Sequence, residues 1–382
     1  MLRFVVSSAD EMHLENLRTA IFSYILALQK GEGFMLYIDE RCLNDEAIFM
    51  LLEKFALPHE QRLYQNERKH IHQALARRLF EEKKAFVDDS KEVSTQELQA
   101  SFELRLHKPD VAPVLNDLIA GAITASPKEI DNFVILQTHA IPTTDFACAC
   151  DDMLNGITSI ITTYGDLTKS IKGHHIQEIL GYTQPITYWH LPPIDGGNTT
   201  LEGLLKEGFL PDAIINYVIA LGYPTPVEIF TLPDAIEWFD PTKLSRDSVR
   251  LDWDRLRFIN REHLRRMEDK RLSTLFGFAD SDIGKLAKLY LEKVSTINEL
   301  EVKIKAIFAP KRCTGNAKLV QEIILQAPML YTFETFVGYL KKESKLEEMA
   351  LKEALQTLFC EQDIEPSLIY PFIKSYITEV VA

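Results

Sequence analysis

The first forty residues restrict the fold more than any other stretch of this chain. Leu2 to Val6 is a short apolar run, the signature of a buried strand, and Ser7-Ser8-Ala9-Asp10 is a polar turn. From Met12 to Lys30 the apolar residues fall at Leu14, Leu17, Ile21, Tyr24, Ile25 and Leu28. That three-and-four spacing belongs to an amphipathic helix. Gly31 and Gly33 stop it, and Phe34 to Ile38 reads as a second strand. A strand–helix–strand opening of this kind begins a parallel sheet. It aims a turn and a helix N-terminus at the crevice where such sheets take nucleotides.

A length of 382 residues allows two or three domains, and 46% hydrophobic residues fit a globular chain. Since a membrane-spanning helix needs roughly 20 continuous apolar residues and none occur, no membrane association is expected. No basic segment followed by a long apolar one opens the chain, so no secretory signal is expected. The five cysteines (Cys42, Cys148, Cys150, Cys313 and Cys360) lack framework spacing, and a reducing cytoplasm is the expected compartment. A net charge of −14 opposes generic nucleic-acid binding but leaves room for a local basic patch.

Within the opening, Arg3-Phe4, Ser7, Met12-His13, Asn16-Leu17-Arg18 and Ala20-Ile21-Phe22 resemble the first ATP signature of bacterial glutamyl-tRNA synthetases, R-F-A-P-S-P-T-G-x-M-H-I-G-N-L-R-A-A-I-F. Pro142-Thr143, Phe146 to Asp152 and Gly156-Ile157-Thr158 are similar to the same family's P-T-Y-N-F-A-C-x-x-D-D segment. His190-Leu191-Pro192, Gly208 to Tyr217 and Ser367 to Ile373 extend the likeness from residue 2 to the neighbourhood of residue 376. The resemblance implies an α/β, Rossmann-like class I synthetase catalytic domain at 1–225, with a small α+β domain inserted over about 65–130. A helical stem-contact region at 226–285 and a shortened, all-α anticodon-binding-like domain at 286–382 would follow.

The same resemblance puts Arg3, Ser7, Asp39, Thr144, Cys148 and Thr162 at glutamate-binding positions, and His13, Glu15 and Asn16 at ATP positions. The departures gather on those positions. Ala9-Asp10 replaces the family's T-G, Glu15 its glycine, Thr144 its tyrosine, Thr162 its arginine, and Gln137 another arginine. The lysine-rich G-K-K-M-S-K-R loop is missing: Asp195 to Thr200 leads straight into Leu201, and no lysine or arginine occurs between Lys172 and Lys206. A threonine cannot supply the planar cationic fork that holds a carboxylate. A carboxylate at Glu15 adds bulk and repels phosphates, and loss of the lysines removes charge stabilisation of the adenylation step.

The expectation is therefore a glutamyl-tRNA synthetase-like protein that does not form glutamyl-adenylate and acts by binding tRNA or another translation protein, as a monomer. The alternative is an active glutamate–tRNA ligase with a strongly altered site, for which ATP and magnesium would be the cofactors. No zinc is expected, because no clustered cysteine and histidine ligands occur. His70 and His72 read as surface helix residues, His174-His175 as solvent-facing, and Cys148-Ala149-Cys150 as packing. Cys42 to Ala85 reads as helices, and so does everything from Pro226 onward. Arg257, Arg261 and Arg265 recur every four residues, forming one helical stripe that serves either as a solvated face or as a contact for RNA phosphates.

Overall fold

The computed structural model describes residues 1–6, 11–42, 44–87, 103–111, 113–124, 130–196, 199–359 and 364–382. They divide into two compact units: Met1–Leu204 with Ile214–Asp252, and Leu205–Ala213 with Trp253–Ala382.

The first unit opens as its periodicity requires, with β1 (Leu2–Val6), α1 (Leu14–Lys30) and β2 (Phe34–Ile38). Next come α2 (Asp45–Lys54), β3 (Gln61–Tyr64), α3 (Lys69–Glu81), β4 (Ala85–Val87) and β5 (Leu104–Leu106). The hairpin β6 (Val114–Asp117) and β7 (Gly121–Thr124) precedes β8 (Phe133–Gln137) and β9 (Ile141–Pro142). Then follow α4 (Thr144–Leu154), β10 (Ser159–Thr163), α5 (Leu167–Ile179), β11 (Thr187–Leu191) and β12 (Ile194–Asp195). The main sheet has the order β3-β2-β1-β10-β11-β6-β7. Its pairs are parallel except β6–β7, which is antiparallel. All five residues of β2 are buried, as expected of a parallel strand covered on both faces. α1 ends at Gly31, whose φ of +64° is the left-handed cap that an L side chain resists.

A second sheet, β4-β5-β8-β9, packs with α3, α4 and α5 around Leu79, Leu106, Ile135, Phe146 and Ile176. Phe146 is fully buried. Phe146→Ala is expected to lower the free energy of unfolding by about 3–5 kcal/mol, read as an earlier urea midpoint with an unchanged slope.

Several expectations need correction. Cys42 to Ala85 is not all helix, because β3 interrupts it at the sheet edge. The residues after Pro226 are not all helical either: after α6 (Leu201–Lys206), α7 (Pro211–Ala220) and α8 (Leu232–Trp238), a two-residue strand β13 (Val249–Arg250) pairs with β12. His72 does not face solvent. It is fully buried, with Nε2 2.9 Å from Asp151 Oδ2, because the carboxylate gives its ring a partner inside the core. His175 is buried as well, its Nε2 2.8 Å from the His107 carbonyl oxygen. Most of the polar connection expected over Lys83 to Gln99, and Phe102, lie outside the described residues.

The second unit is built from α9 (Trp253–Arg266), α10 (Asp269–Thr274), α11 (Ser281–Leu289), α12 (Ile297–Phe308), α13 (Gly315–Gln326), α14 (Phe333–Ser344), α15 (Glu348–Leu358), α16 (Pro366–Ile373) and α17 (Ile377–Val381). Among the described residues no helix is long and apolar enough to cross a membrane.

Candidate functional site

The start of α1 is tied to the chain that leaves β11. Pro192 and Pro193 have no N–H to donate, so Ile194 carries the first free backbone donor after Leu191. The Glu15 carboxylate takes it, accepting from the Ile194 N–H at 2.7 Å. One turn further along, the Arg18 side chain donates to the Pro192 carbonyl. Burial pushes the Arg18 guanidinium down to about 10, and neighbouring Glu15 opposes that fall. The backbone closes the contact: Leu14 N–H donates to Thr199 O at 3.3 Å and Leu201 N–H to Met12 O at 2.8 Å, flanking a bridge between His13 and Thr200. His13 caps the helix, its own N–H donating to Asn16 Oδ1 at 3.0 Å. Ser7, expected to touch glutamate, lies outside the described residues.

Beside this contact, a cavity of about 250 Å³ opens over the ends of β1 and β10, between α4 and α5. Its wall brings together Arg3, Asn16, Asp39, Thr144, Cys148 and Thr162 from the sequence reading; His13 and Glu15 are not on it. Arg41, Asp145, Asp152, Asp166 and Lys169 also line it, and sequence reasoning had assigned them no role. They decide its electrostatics. The Arg3 fork is closed on Asp152, with Nη2 2.7 Å from Oδ2 and Nε on Oδ1. Arg41 grips Asp39, with Nε 3.0 Å from Oδ1. Lys169 Nζ lies 2.6 Å from Asp166 Oδ1, while Thr162 Oγ1 donates to Asp166 Oδ2 at 2.9 Å. Each of these three cations already faces a carboxylate.

Burial raises the Asp152 carboxyl, Arg3 pulls it back and Asp151 pushes it up further. Burial also pushes the Cys148 thiol up, against Arg3 and with the help of Asp152, Asp151 and Asp145. Burial of this kind disfavours the thiolate. Among the described residues no three His, Cys, Asp or Glu side chains cluster as metal ligands.

Behind the cavity wall, His190 Nδ1 sits 2.7 Å from Asp117 Oδ2, with both side chains fully buried. The second oxygen of Asp117 accepts the N–H groups of Ile119 and Ala120 at 2.8 and 2.6 Å. Burial opposes the charge of Asp117, but the hydrogen bonds from His190 and from the backbone of Ala120, His190 and Ile119 hold its carboxyl below the ordinary 3.8. A carboxyl lowered on folding contributes stability above its unfolded value and loses it as pH falls through the folded one. The melting temperatures of the wild type and Asp117→Asn are therefore expected to differ at neutral pH and to converge below pH 3.8.

The stripe of arginines lies in the second unit. Arg257 Nη1 donates to Ser295 and Glu299, both at 2.9 Å. Arg265 pairs with Glu262 and with Glu292, the latter at 2.8 Å. Arg261 lies over the Phe258 ring, 5.6 Å from its centre. The stripe is thus partly neutralised within its own unit.

Known proteins share this architecture. The family described as tRNA synthetases class I (E and Q), catalytic domain, matches residues 90–265. Glutamate–tRNA ligase 2 of Sulfurovum sp. (strain NBC37-1) is 44% identical over 428 aligned residues, covering 100% of both chains. Glutamate–tRNA ligase 2 of Sulfurimonas denitrificans is 34% identical over 431, again covering 100% of both. Both alignments are longer than the 382-residue chain, so these relatives carry residues it lacks. A glutamate tRNA ligase from Elizabethkingia meningosepticum, crystallised in complex with its amino acid, matches with a TM-score of 0.79 over 99% of this chain and 97% of that one. At 19% identity that is a likeness of fold. With a parallel Rossmann-like sheet, a helical second unit and full-length relatives at this level of identity, the chain belongs to the glutamyl-tRNA synthetase family of class I aminoacyl-tRNA synthetases.

Proposed function

We propose that this family member no longer forms glutamyl-adenylate and acts by binding tRNA or a protein of translation. The observation that carries this reading is the Glu15 carboxylate on the Ile194 N–H. A negative group holds that backbone donor at the position where the family's glycine lets adenosine approach. The absence of any lysine or arginine between Lys172 and Lys206 supports it, since no cation there would meet the phosphates. So does the pairing of Arg3, Arg41 and Lys169 with carboxylates, which leaves a dicarboxylic amino acid without an unmatched fork.

A retained ligase activity is the second reading, favoured by full-length coverage of relatives named glutamate–tRNA ligase. Calorimetry of the whole protein with ATP separates the two. The proposal expects no heat of binding at millimolar ATP, and saturable binding would sink it. For the partner, filter binding of tRNA at low salt is expected to give an affinity that falls as salt rises. No retention at any salt would leave a protein as the partner.

A further inference from the structure

Three side chains far apart in sequence meet at the inner edge of the cavity. Ser170 lines the cavity, and its Oγ lies 2.9 Å from His190 Nε2; His190 Nδ1 in turn lies 2.7 Å from Asp117 Oδ2. The tautomer follows from the acceptors. The Asp117 carboxylate already takes N–H groups on both oxygens, including the His190 backbone N–H at 2.8 Å. A carboxylate only accepts, so the ring proton sits on Nδ1 and Nε2 is left as the acceptor for the Ser170 hydroxyl. Tyr188 stacks with the imidazole at 6.2 Å between ring centres, and Tyr164 meets it edge-on at 6.3 Å. Ser170 itself sits on α5, a rigid support for a reacting group. A nucleophile, a base within reach and a carboxylate that orients the base make up the arrangement that activates a serine.

We propose that Ser170 is an activated nucleophile that takes the acyl group of a small carboxylic ester, with His190 as its base and Asp117 as the residue that positions His190. A cavity of about 250 Å³ suits a short acyl chain. In the step, Oγ attacks the carbonyl carbon and its proton passes to Nε2. The bond to the leaving alcohol breaks, that alcohol takes the proton from Nε2, and an acyl-serine remains. Water, losing a proton to the same nitrogen, attacks the acyl carbon; the bond to Oγ breaks, Oγ takes that proton back from Nε2, and the acid leaves with the serine restored. Neither ATP nor glutamate is involved, so this assignment stands or falls separately from the loss of adenylation.

The test is labelling of the whole protein with a fluorophosphonate probe, which forms a phosphorus–oxygen bond to serine as fluoride leaves, followed by peptide mass spectrometry. One adduct on Ser170 is expected. Ser170→Ala should abolish it while melting as the wild type does. His190→Gln should slow labelling by about 10²-fold or more, the share of a general base. Asp117→Asn should lower the maximal labelling rate with an unchanged half-saturating probe concentration, which a merely structural role would not do. No adduct, an adduct elsewhere, or equal labelling of folded Ser170→Ala would overturn the assignment.

Discussion

Asp152→Ala is expected to destabilise the first unit by about 3–5 kcal/mol, the cost of leaving a buried charge without its partner. Arg3 and Asp152 are 8% and 3% exposed, and the guanidinium meets both carboxylate oxygens. The attraction of the pair largely offsets the desolvation of each member, so the pair adds little net stability while either half alone is unfavourable. Arg3→Met combined with Asp152→Leu removes both charges at similar volume, and it is expected to recover most of the loss. Urea denaturation of the wild type, Asp152→Ala and the double variant gives the answer. A loss under about 1 kcal/mol for Asp152→Ala would place the pair among weakly coupled surface bridges.

Glu15→Gly is expected to create ATP binding where the wild type has none. Any nucleotide that needs the Ile194 N–H must first displace a carboxylate from it. A hydrogen bond to a charged group is worth about 1.5–3 kcal/mol. Its removal corresponds to binding about ten- to a hundredfold tighter, enough to bring a weak interaction into calorimetric range. Glu15→Gln keeps the size and the hydrogen bond while discharging the group, and is expected to gain less. Equal behaviour of wild type and Glu15→Gly would show that Glu15 does not close the site.

Much of the fold is legible in local spacing. The apolar run of Leu2 to Val6, the helical spacing to Leu28 and the stop at Gly31 yield β1, α1 and β2 with nearly their observed bounds. β3 escapes because Gln61 and Arg62 are exposed and only Leu63 is buried, so an edge strand of four residues carries no period of its own. His72 was recoverable: with Ala76 and Leu79 it occupies positions i, i+4 and i+7, the buried face of α3. Its partner Asp151 was not, being 79 residues away.

The candidate site divides the same way. The identity of Glu15 is visible by comparison with a signature, but its bond to Ile194, 179 residues on, exists only in the fold. Arg3 lines the cavity, yet nothing in the local sequence shows that Asp152 engages it, because the two are 149 residues apart. Ser170, His190 and Asp117 form no motif for the same reason. Their relation is set by α5, β11 and the end of β6.

The central claim is that the scaffold persists while adenylation has been lost. ATP–pyrophosphate exchange with glutamate, run with and without tRNA, tests it most directly. The account predicts no exchange above background in either case; robust, glutamate-dependent exchange would contradict it.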